Sequence, residues 1–477
     1  MKKVFISGFF EVIHPGHIRL LEFAREQGDY LIVGLLKDRD NPINKYGFSH
    51  ADKILNLSSL EMVDEVMLIE SVTTKILNQL APAVIVKGRE FDGSHNIEQE
   101  YAELSGCQFL FDSGKALQHK YSFDTLLPGG SKKVIKDFLR RYQIDATVLN
   151  SLVQSMSSLR VLVIGDLILD QYIQCEALGM SREDHSIVMR PVESKEYLGG
   201  AGIVAAHCAS LGALVCFASV IGNDDVGSKA VDELSKDYSI DCSAVIREIS
   251  RVTTRKTRYV IEGKTMARVT QLKDTDAQNS SIEQIIQFVE EKITGFHLVL
   301  ISDFNYGVLT SGLVNYLEDL HRRYPNVVFV ADCQSSSQTG DVAKYKNANL
   351  ITPTEWEARL AVSNNSIGLP VLLKQLSGMT QAKHIILTLG KDGVLVYHSK
   401  EDSLDAFPSI NAKPLDVSGA GDSLMCASGM ALALGADIRT AAVLGSIAAA
   451  LQINVEGNQP LKSHDIVRMI EGSLVVG

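Results

Sequence analysis

The chain has 477 residues, 45% of them hydrophobic and 22% charged, with a formal net charge of −11 at pH 7. That length exceeds one ordinary core and implies two or three domains. The composition is that of a globular enzyme, with no low-complexity or fibrous character. The negative balance disfavours a broad basic surface for nucleic acid or anionic lipid, leaving room for a local basic pocket that takes phosphates.

The first residues, Met1 to Ile6, lead into an apolar run that Glu11 and His14 interrupt. A secretory leader needs a longer apolar core, so none is expected. No stretch reaches the eighteen uncharged residues of a membrane span. The seven cysteines are scattered, odd in number and free of CxxC pairs, which points to reduced thiols and a cytoplasmic setting.

Two segments open with a buried-strand pattern, Val4 to Gly8 and Val161 to Asp166. Beyond each, apolar runs (Tyr30 to Leu36, Ala83 to Val86, Leu298 to Ser302, Val327 to Ala331, Ile385 to Leu389) alternate with helical patterns. This alternation predicts two α/β domains with parallel sheets covered by helices. The turn-rich Pro128 to Lys133, a predicted helix through Arg140 and the polar, serine-rich segment ending near Ser158 divide them. The expected arrangement is a first domain over 1–130, a linker over 131–158 and a second domain over 159–477. Ligands of such sheets gather at the carboxyl ends of the strands, so the residues just after those runs are the site candidates.

After the first strand, His14-Pro15-Gly16-His17 stands at a predicted helix start. Free N–H groups there favour an anion, glycine permits close backbone approach, and two imidazoles can donate to a phosphate that gains charge. With Lys53 on a predicted helix over 53–63 and Lys87-Gly88 after a later strand, residues 1–127 resemble the nucleotidyltransferases of the cytidylyltransferase-like fold. The resemblance implies a Rossmann-like domain joining a nucleoside triphosphate to a phosphorylated small molecule, with release of pyrophosphate. It also implies that Lys53, Lys87 and Gly88 bind the nucleotide, ATP or alternatively CTP. Lys53 stands where the family usually has Arg, and Tyr121 to Thr125 place Asp124 where a phosphate would be gripped. A non-catalytic binding or assembly module is therefore the alternative for this domain.

The second domain carries Asp416-Val417-Ser418-Gly419-Ala420-Gly421-Asp422, followed by a long small-residue helix pattern. Gly419, Ala420 and Gly421 would offer N–H groups to a transferring phosphoryl group, and Asp422 is placed to take the proton of the attacking hydroxyl. Earlier come Asp166, Gly199-Gly200 and Asp303 as sugar-binding candidates. Later come Thr354, Glu357, Thr388, Gly390 and Gly393 as a nucleotide-binding set, with Glu357 holding magnesium through a water.

This ordered set resembles the ribokinase family over nearly all of residues 159–470, and within it the heptose-phosphate kinases. That branch is commonly fused to an HxGH nucleotidyltransferase, here in reversed order. The resemblance implies ATP and Mg2+, a small β-lid, and a homodimer formed through it. It further implies phosphorylation of heptose 7-phosphate at the anomeric carbon and later nucleotidyl transfer to the 1-phosphate. Ile203, Tyr306, Gln334 and Thr354 replace the asparagine, two lysines and asparagine of that branch. Losing the two lysines removes cations that would pair with a phosphate on the acceptor. The lid is expected from Leu169–Cys175, Ile187–Val192 and Arg255–Val269.

Overall fold

The computed structural model describes residues 2–10, 15–37, 49–60, 62–88, 97–112, 130–181, 186–261, 264–273, 275–334, 340–410 and 414–474. The chain divides into two compact units, Met1–Gly130 with Ser363–Leu373, and Ser131–Val362 with Lys374–Gly477.

In the first unit the apolar runs form five strands, β1 (Lys3–Gly8), β2 (Tyr30–Leu36), β3 (Glu65–Ile69), β4 (Val84–Gly88) and β5 (Gln108–Asp112). Their order is β3-β2-β1-β4-β5, with every pairing parallel. The central strands β1, β2 and β4 are buried on both faces, which is why they read as continuous apolar runs, whereas the edge strands β3 and β5 are part-exposed and lack that signature. Strand order reverses between β1 and β4, and the carboxyl ends of those two strands open the crevice where such sheets bind ligands.

The helix expected over 53–63 runs instead from His50 to Ser58. Its start is set by a capping box, in which the Ser49 hydroxyl accepts from the Asp52 N–H and the Asp52 carboxylate accepts from the Ser49 N–H. That reciprocal pair fixes the helix start three residues before Lys53.

The second unit holds a nine-stranded sheet built on β6 (Arg160–Gly165), β9 (Leu214–Gly222), β10 (Asp241–Glu248), β13 (Leu298–Asp303), β14 (Val328–Cys333), β15 (Leu350–Ile351), β16 (His384–Thr388), β17 (Val394–His398) and β18 (Ser403–Phe407). Their order is β10-β9-β6-β13-β14-β15-β16-β17-β18. Parallel pairing runs from β10 to β16, whereas β17 and β18 turn back antiparallel, a departure from the all-parallel expectation. Register places Gly165 beside Ser302 and Ser302 beside Asp332, so the carboxyl ends of three adjacent strands form one rim.

Directly after Gly165 the chain leaves this sheet to make the lid, from β7 (Leu167–Met180), β8 (Ile187–Gly200), β11 (Thr254–Ile261) and β12 (Lys264–Gln271), in the order β12-β11-β7-β8. The single run expected over 255–269 is thus two strands of an antiparallel pair.

Residues 131–158, expected as a linker, are largely helical, with helices Gly130–Arg141 and Ala146–Ser155. Phe138, Leu149, Val153 and Met156 are buried in the core of the second unit. The first is the helix expected through Arg140; the second was hidden in the serine-rich stretch that made the segment look like a spacer. The helix after Gly419, Ala420–Ala433, is buried along most of its length and packs on helix Ile438–Gln452. The seven cysteines are all free.

Candidate active sites

At the rim of the nine-stranded sheet, Gly419 caps helix Ala420–Ala433 with φ 73°, a left-handed conformation that glycine adopts without strain. A Cβ there would also stand 2.4 Å from Asn458 Oδ1. The space in front of Gly421 is open, with no atom within 4 Å of where its Cβ would be. A helix start of this kind points free N–H groups at whatever enters that space.

Asp422 lies in the first helical turn and is 4% exposed. Burial pushes its carboxyl up to about 7; Asp170 and Glu357 push the same way and Lys256 opposes them. A carboxylate titrating near neutrality is suited to accept a proton from a hydroxyl during attack.

Glu357 is buried, and its Oε2 accepts the N–H and hydroxyl of Thr354 at 2.8 Å each, in a cap for helix Glu355–Val362. Thr354 forms a parallel backbone bridge with Thr388, which places the two residues side by side. The following turn closes when Leu389 N–H donates to Gly393 O at 2.8 Å, with Gly390 and Gly393 at φ 58° and 93°. Burial, with Glu357 and Asp422 adding to it, also holds Asp332 well above the usual carboxylate range. The rim therefore gathers Asp332, Glu357 and Asp422 within electrostatic reach of one another.

Two predicted sugar-binding acids have other work. Asp166 accepts the N–H groups of Phe304 at 2.8 Å, Tyr306 at 3.3 Å and Val308 at 3.2 Å. Burial, with Asp303 adding to it, raises Asp166 to about 6 against the pull of those donors. Asp303 is 1% exposed, pairs with Lys344, and accepts from Tyr345 Oη at 2.7 Å and Asn305 N at 2.8 Å. These carboxylates hold the 304–308 loop, because the loop's N–H groups need acceptors once buried.

Gly199 and Gly200 are likewise explained by the protein's own packing. A Cβ on Gly199 would stand 2.3 Å from Asp170 Oδ2, and one on Gly200, at φ 57°, 2.4 Å from the Asp166 carbonyl. Asp170 itself pairs with Arg258 at 2.8 Å and accepts from Asn458 Nδ2 at 3.1 Å. Nothing in the local residue pattern marks Asp170, Lys256, Arg258 or Asn458 as site residues.

In the first unit, His14 lies outside the described residues. His17 is in the first turn of helix Pro15–Glu26, its ring 4.9 Å from that of Phe10. Lys53 is 3% exposed, and its ammonium makes no hydrogen bond or ion pair among the described residues. Lys87 differs, since it pairs with Glu98 and donates to Ser7 Oγ at 2.8 Å. Ser7 Oγ in turn donates to Glu98 Oε1 at 2.7 Å. Burial raises Glu98, but the Lys87 charge and the bonds from Lys87 and Ser7 outweigh it and leave its pKa lowered. Lys87 and Gly88 end β4 and Ser7 lies near the end of β1, at the switch-point crevice. The predicted ammonium is in place there but already neutralised.

Among the described residues no helix is long and apolar enough to cross a membrane. Residues 5–111 match the cytidylyltransferase-like family. The bifunctional protein HldE of Trichlorobacter lovleyi is 30% identical over 338 residues, covering 69% of this chain and 66% of that protein. Its counterpart from Desulfatibacillum aliphaticivorans is 29% identical over 322 residues, covering 67% and 64%. The chain thus matches just under two thirds of the length of these relatives. Arabidopsis thaliana ribokinase, solved with ribose and ATP, superposes with a TM-score of 0.52 at 15% identity, over 66% of this chain and 99% of that one. Escherichia coli phosphofructokinase-2 gives 0.54 at 18%, over 67% and 100%. These likenesses show the fold of the second unit. Residues 158–464 match the pfkB family of carbohydrate kinases, and with that span, the rim at Asp422 and the lid in place, the chain belongs to that family.

Proposed function

We propose that the chain is a bifunctional sugar-activating enzyme. The second unit phosphorylates a sugar or sugar phosphate with ATP, and the first transfers a nucleotidyl group to a sugar 1-phosphate, giving a nucleotide sugar and pyrophosphate. The acceptor is heptose 7-phosphate-like and the final product ADP-heptose-like. One observation carries the kinase reading: Asp422, titrating near 7, stands in the first turn of a helix whose start faces open space.

Asp422 takes the acceptor's proton as its oxygen bonds to the γ-phosphorus. The bond to the bridging oxygen breaks, ADP leaves, and the N–H groups of the Gly419 to Gly421 turn meet the charge on the transferred group. Thr354, Thr388, Gly390 and Gly393 form the nucleotide side. Mg2+ fits this rim, because Asp332, Glu357 and Asp422 concentrate buried negative charge that a dication would balance. Among the described residues no three His, Cys, Asp or Glu side chains are arranged to hold a metal. Phosphate oxygens and water would complete its shell, with Glu357 acting through a water. When bound, the ion neutralises phosphate charge.

The test is purified protein with Mg2+ and ATP against a panel of sugars and sugar 7-phosphates, reading ADP and pyrophosphate together. ADP release supports the kinase. Its absence with every acceptor counts against it.

For the first unit, Lys53 supports the transferase reading, since a buried ammonium with no described partner needs an anion. Lys53→Met should lower pyrophosphate formation by roughly 10²-fold, while the apo protein's thermal midpoint rises because an uncompensated charge is gone. A fall in midpoint would mean that Lys53 is structural. The neutralised Lys87 favours the second reading, a non-catalytic nucleotide-binding module; pyrophosphate release with ATP or with CTP would exclude it and name the nucleotide.

We also propose a homodimer through the lid, supported by its exposed Leu178, Met180, Ile187, Val192 and Val269. Light scattering should give twice the chain mass, and Leu178→Glu with Val192→Glu the mass of one chain.

A further inference from the structure

We propose that Phe9, at the carboxyl end of β1, is a stacking platform for the base of the nucleotide that the first unit takes. The proposal rests on the reading of that unit as a nucleotide site, catalytic or not, and adds how the ligand lies in it.

Side chains along a strand alternate between its two faces. Val4 and Ile6 of β1 pack in one apolar cluster and Phe10 joins them, whereas Phe5 packs in a second cluster on the other face. Helix Ile97–Ser105 covers that second face, contributing Tyr101 to the cluster and Glu98 to the Ser7 hydroxyl. By the same alternation Phe9 follows Phe5 and Ser7. It is therefore the next residue beyond Ser7 on the side where Ser7 Oγ donates to Glu98 Oε1 at 2.7 Å and accepts from Lys87 Nζ at 2.8 Å. The ends of β1 and β4 border the switch-point crevice, so Phe9 stands at its mouth.

The backbone beside it is strained. Phe10 has φ 40°, a left-handed conformation that a bulky residue adopts only where its surroundings impose it. Its ring is buried, lies 4.9 Å from that of His17, and fills the space over Gly8, where a Cβ would stand 3.0 Å from Phe10 Cε2. Phe10 thus anchors the turn in the core, and Phe9 is left 50% exposed. An aromatic ring gains by burial. Strain that coincides with an outward ring at a crevice mouth is the pattern of a ligand clamp.

The floor beneath that ring selects what it holds. Ser7, Lys87 and Glu98 are all buried, and the Lys87 ammonium and Glu98 carboxylate compensate each other. An exposed aromatic face over a neutral floor suits a flat, uncharged ring rather than a phosphate. Phosphates are served instead by the start of helix Pro15–Glu26 and by Lys53. A nucleobase supplies the flat ring, and because every base has a π-face the contact grips without choosing among bases. Discrimination between ATP and CTP then falls to groups that meet the base edge.

The test uses full-length protein with Mg2+, heptose 1-phosphate and ATP or CTP, whichever releases pyrophosphate. Phe9→Ala should raise KM for the nucleotide by about 5- to 100-fold with kcat changed less than about threefold. Phe9→Leu should do nearly the same, and Phe9→Trp should restore the wild-type value. Unchanged values in Phe9→Ala, recovery by leucine, which would mean plain apolar packing, or a raised KM for the sugar phosphate alone would each overturn the assignment. Photolabelling reads the base position without a variant. The azido analogue of that nucleotide, 8-azido-ATP or 5-azido-CTP, should mark the tryptic peptide Val4–Arg19, and the unmodified nucleotide should prevent it. Label confined to other first-unit peptides would place the base away from Phe9 and overturn the assignment. Failure of the underlying reading looks different: no pyrophosphate from either nucleotide and label from both analogues on second-unit peptides alone, in which case the platform falls with it.

Discussion

Replacing Asp422 with Asn should lower the rate of ADP formation by about 10²- to 10⁴-fold while leaving ATP affinity within a few fold. The amide fills the same space at the helix start but cannot take the proton, so binding and chemistry separate. The sign of the pH dependence follows from the direction of the shift. Asp422 is raised from 3.8 to about 7, so it is mostly protonated below neutrality and works only once ionised. Wild-type kcat/KM should therefore climb about tenfold per pH unit below 7 and level off above 8. Burial is the main cause; Asp170 and Glu357 add to it, Lys256 opposes it, and Asp332 faces the same rim. A profile already flat from pH 5 upward would remove Asp422 from the role of base. Full activity in the asparagine variant would do the same.

The second large effect is on stability. Asp303→Ala leaves the Lys344 ammonium, the Tyr345 hydroxyl and the Asn305 N–H without their carboxylate. Breaking one side of a buried ion pair costs about 3–5 kcal/mol, since the remaining charge stays desolvated. Urea unfolding followed by tryptophan fluorescence suits the measurement, because Trp356 is the one tryptophan in the chain and lies in the second unit. The midpoint should fall by the corresponding amount at unchanged slope. An unaltered midpoint would mean that Asp303 is free for a ligand, as its place after a strand first suggested.

Asp166 and Asp303 show how far a pattern of acids after strands can be trusted. The pattern places them correctly at carboxyl ends of β6 and β13, because parallel strands buried on both faces leave a continuous apolar signature. It cannot say whether a carboxylate faces outward or accepts N–H groups of its own loop. That depends on how the 304–308 segment folds back, which is a non-local matter. The helix expected through Arg140 is present as Gly130–Arg141, but the burial of its apolar side, and the second helix Ala146–Ser155, went unrecognised for a related reason. Their apolar positions gain meaning only when a core is there to receive Phe138 and Leu149.

Residue order was enough to reveal the two α/β units, the buried central strands such as β1, β2, β6 and β13, the glycine turn before Asp422, and a helix start beside His17. These features are local, since each depends on backbone needs or apolar runs within a few residues. The tertiary structure alone decided which charges remain available. It neutralised Lys87 with Glu98 across 11 residues, engaged Arg258 with Asp170 across 88, and left the Lys53 and Lys256 ammonium groups without such partners among the described residues. Pairing of charges is settled by distance in space and by burial, and neither is written in the spacing of residues along a chain.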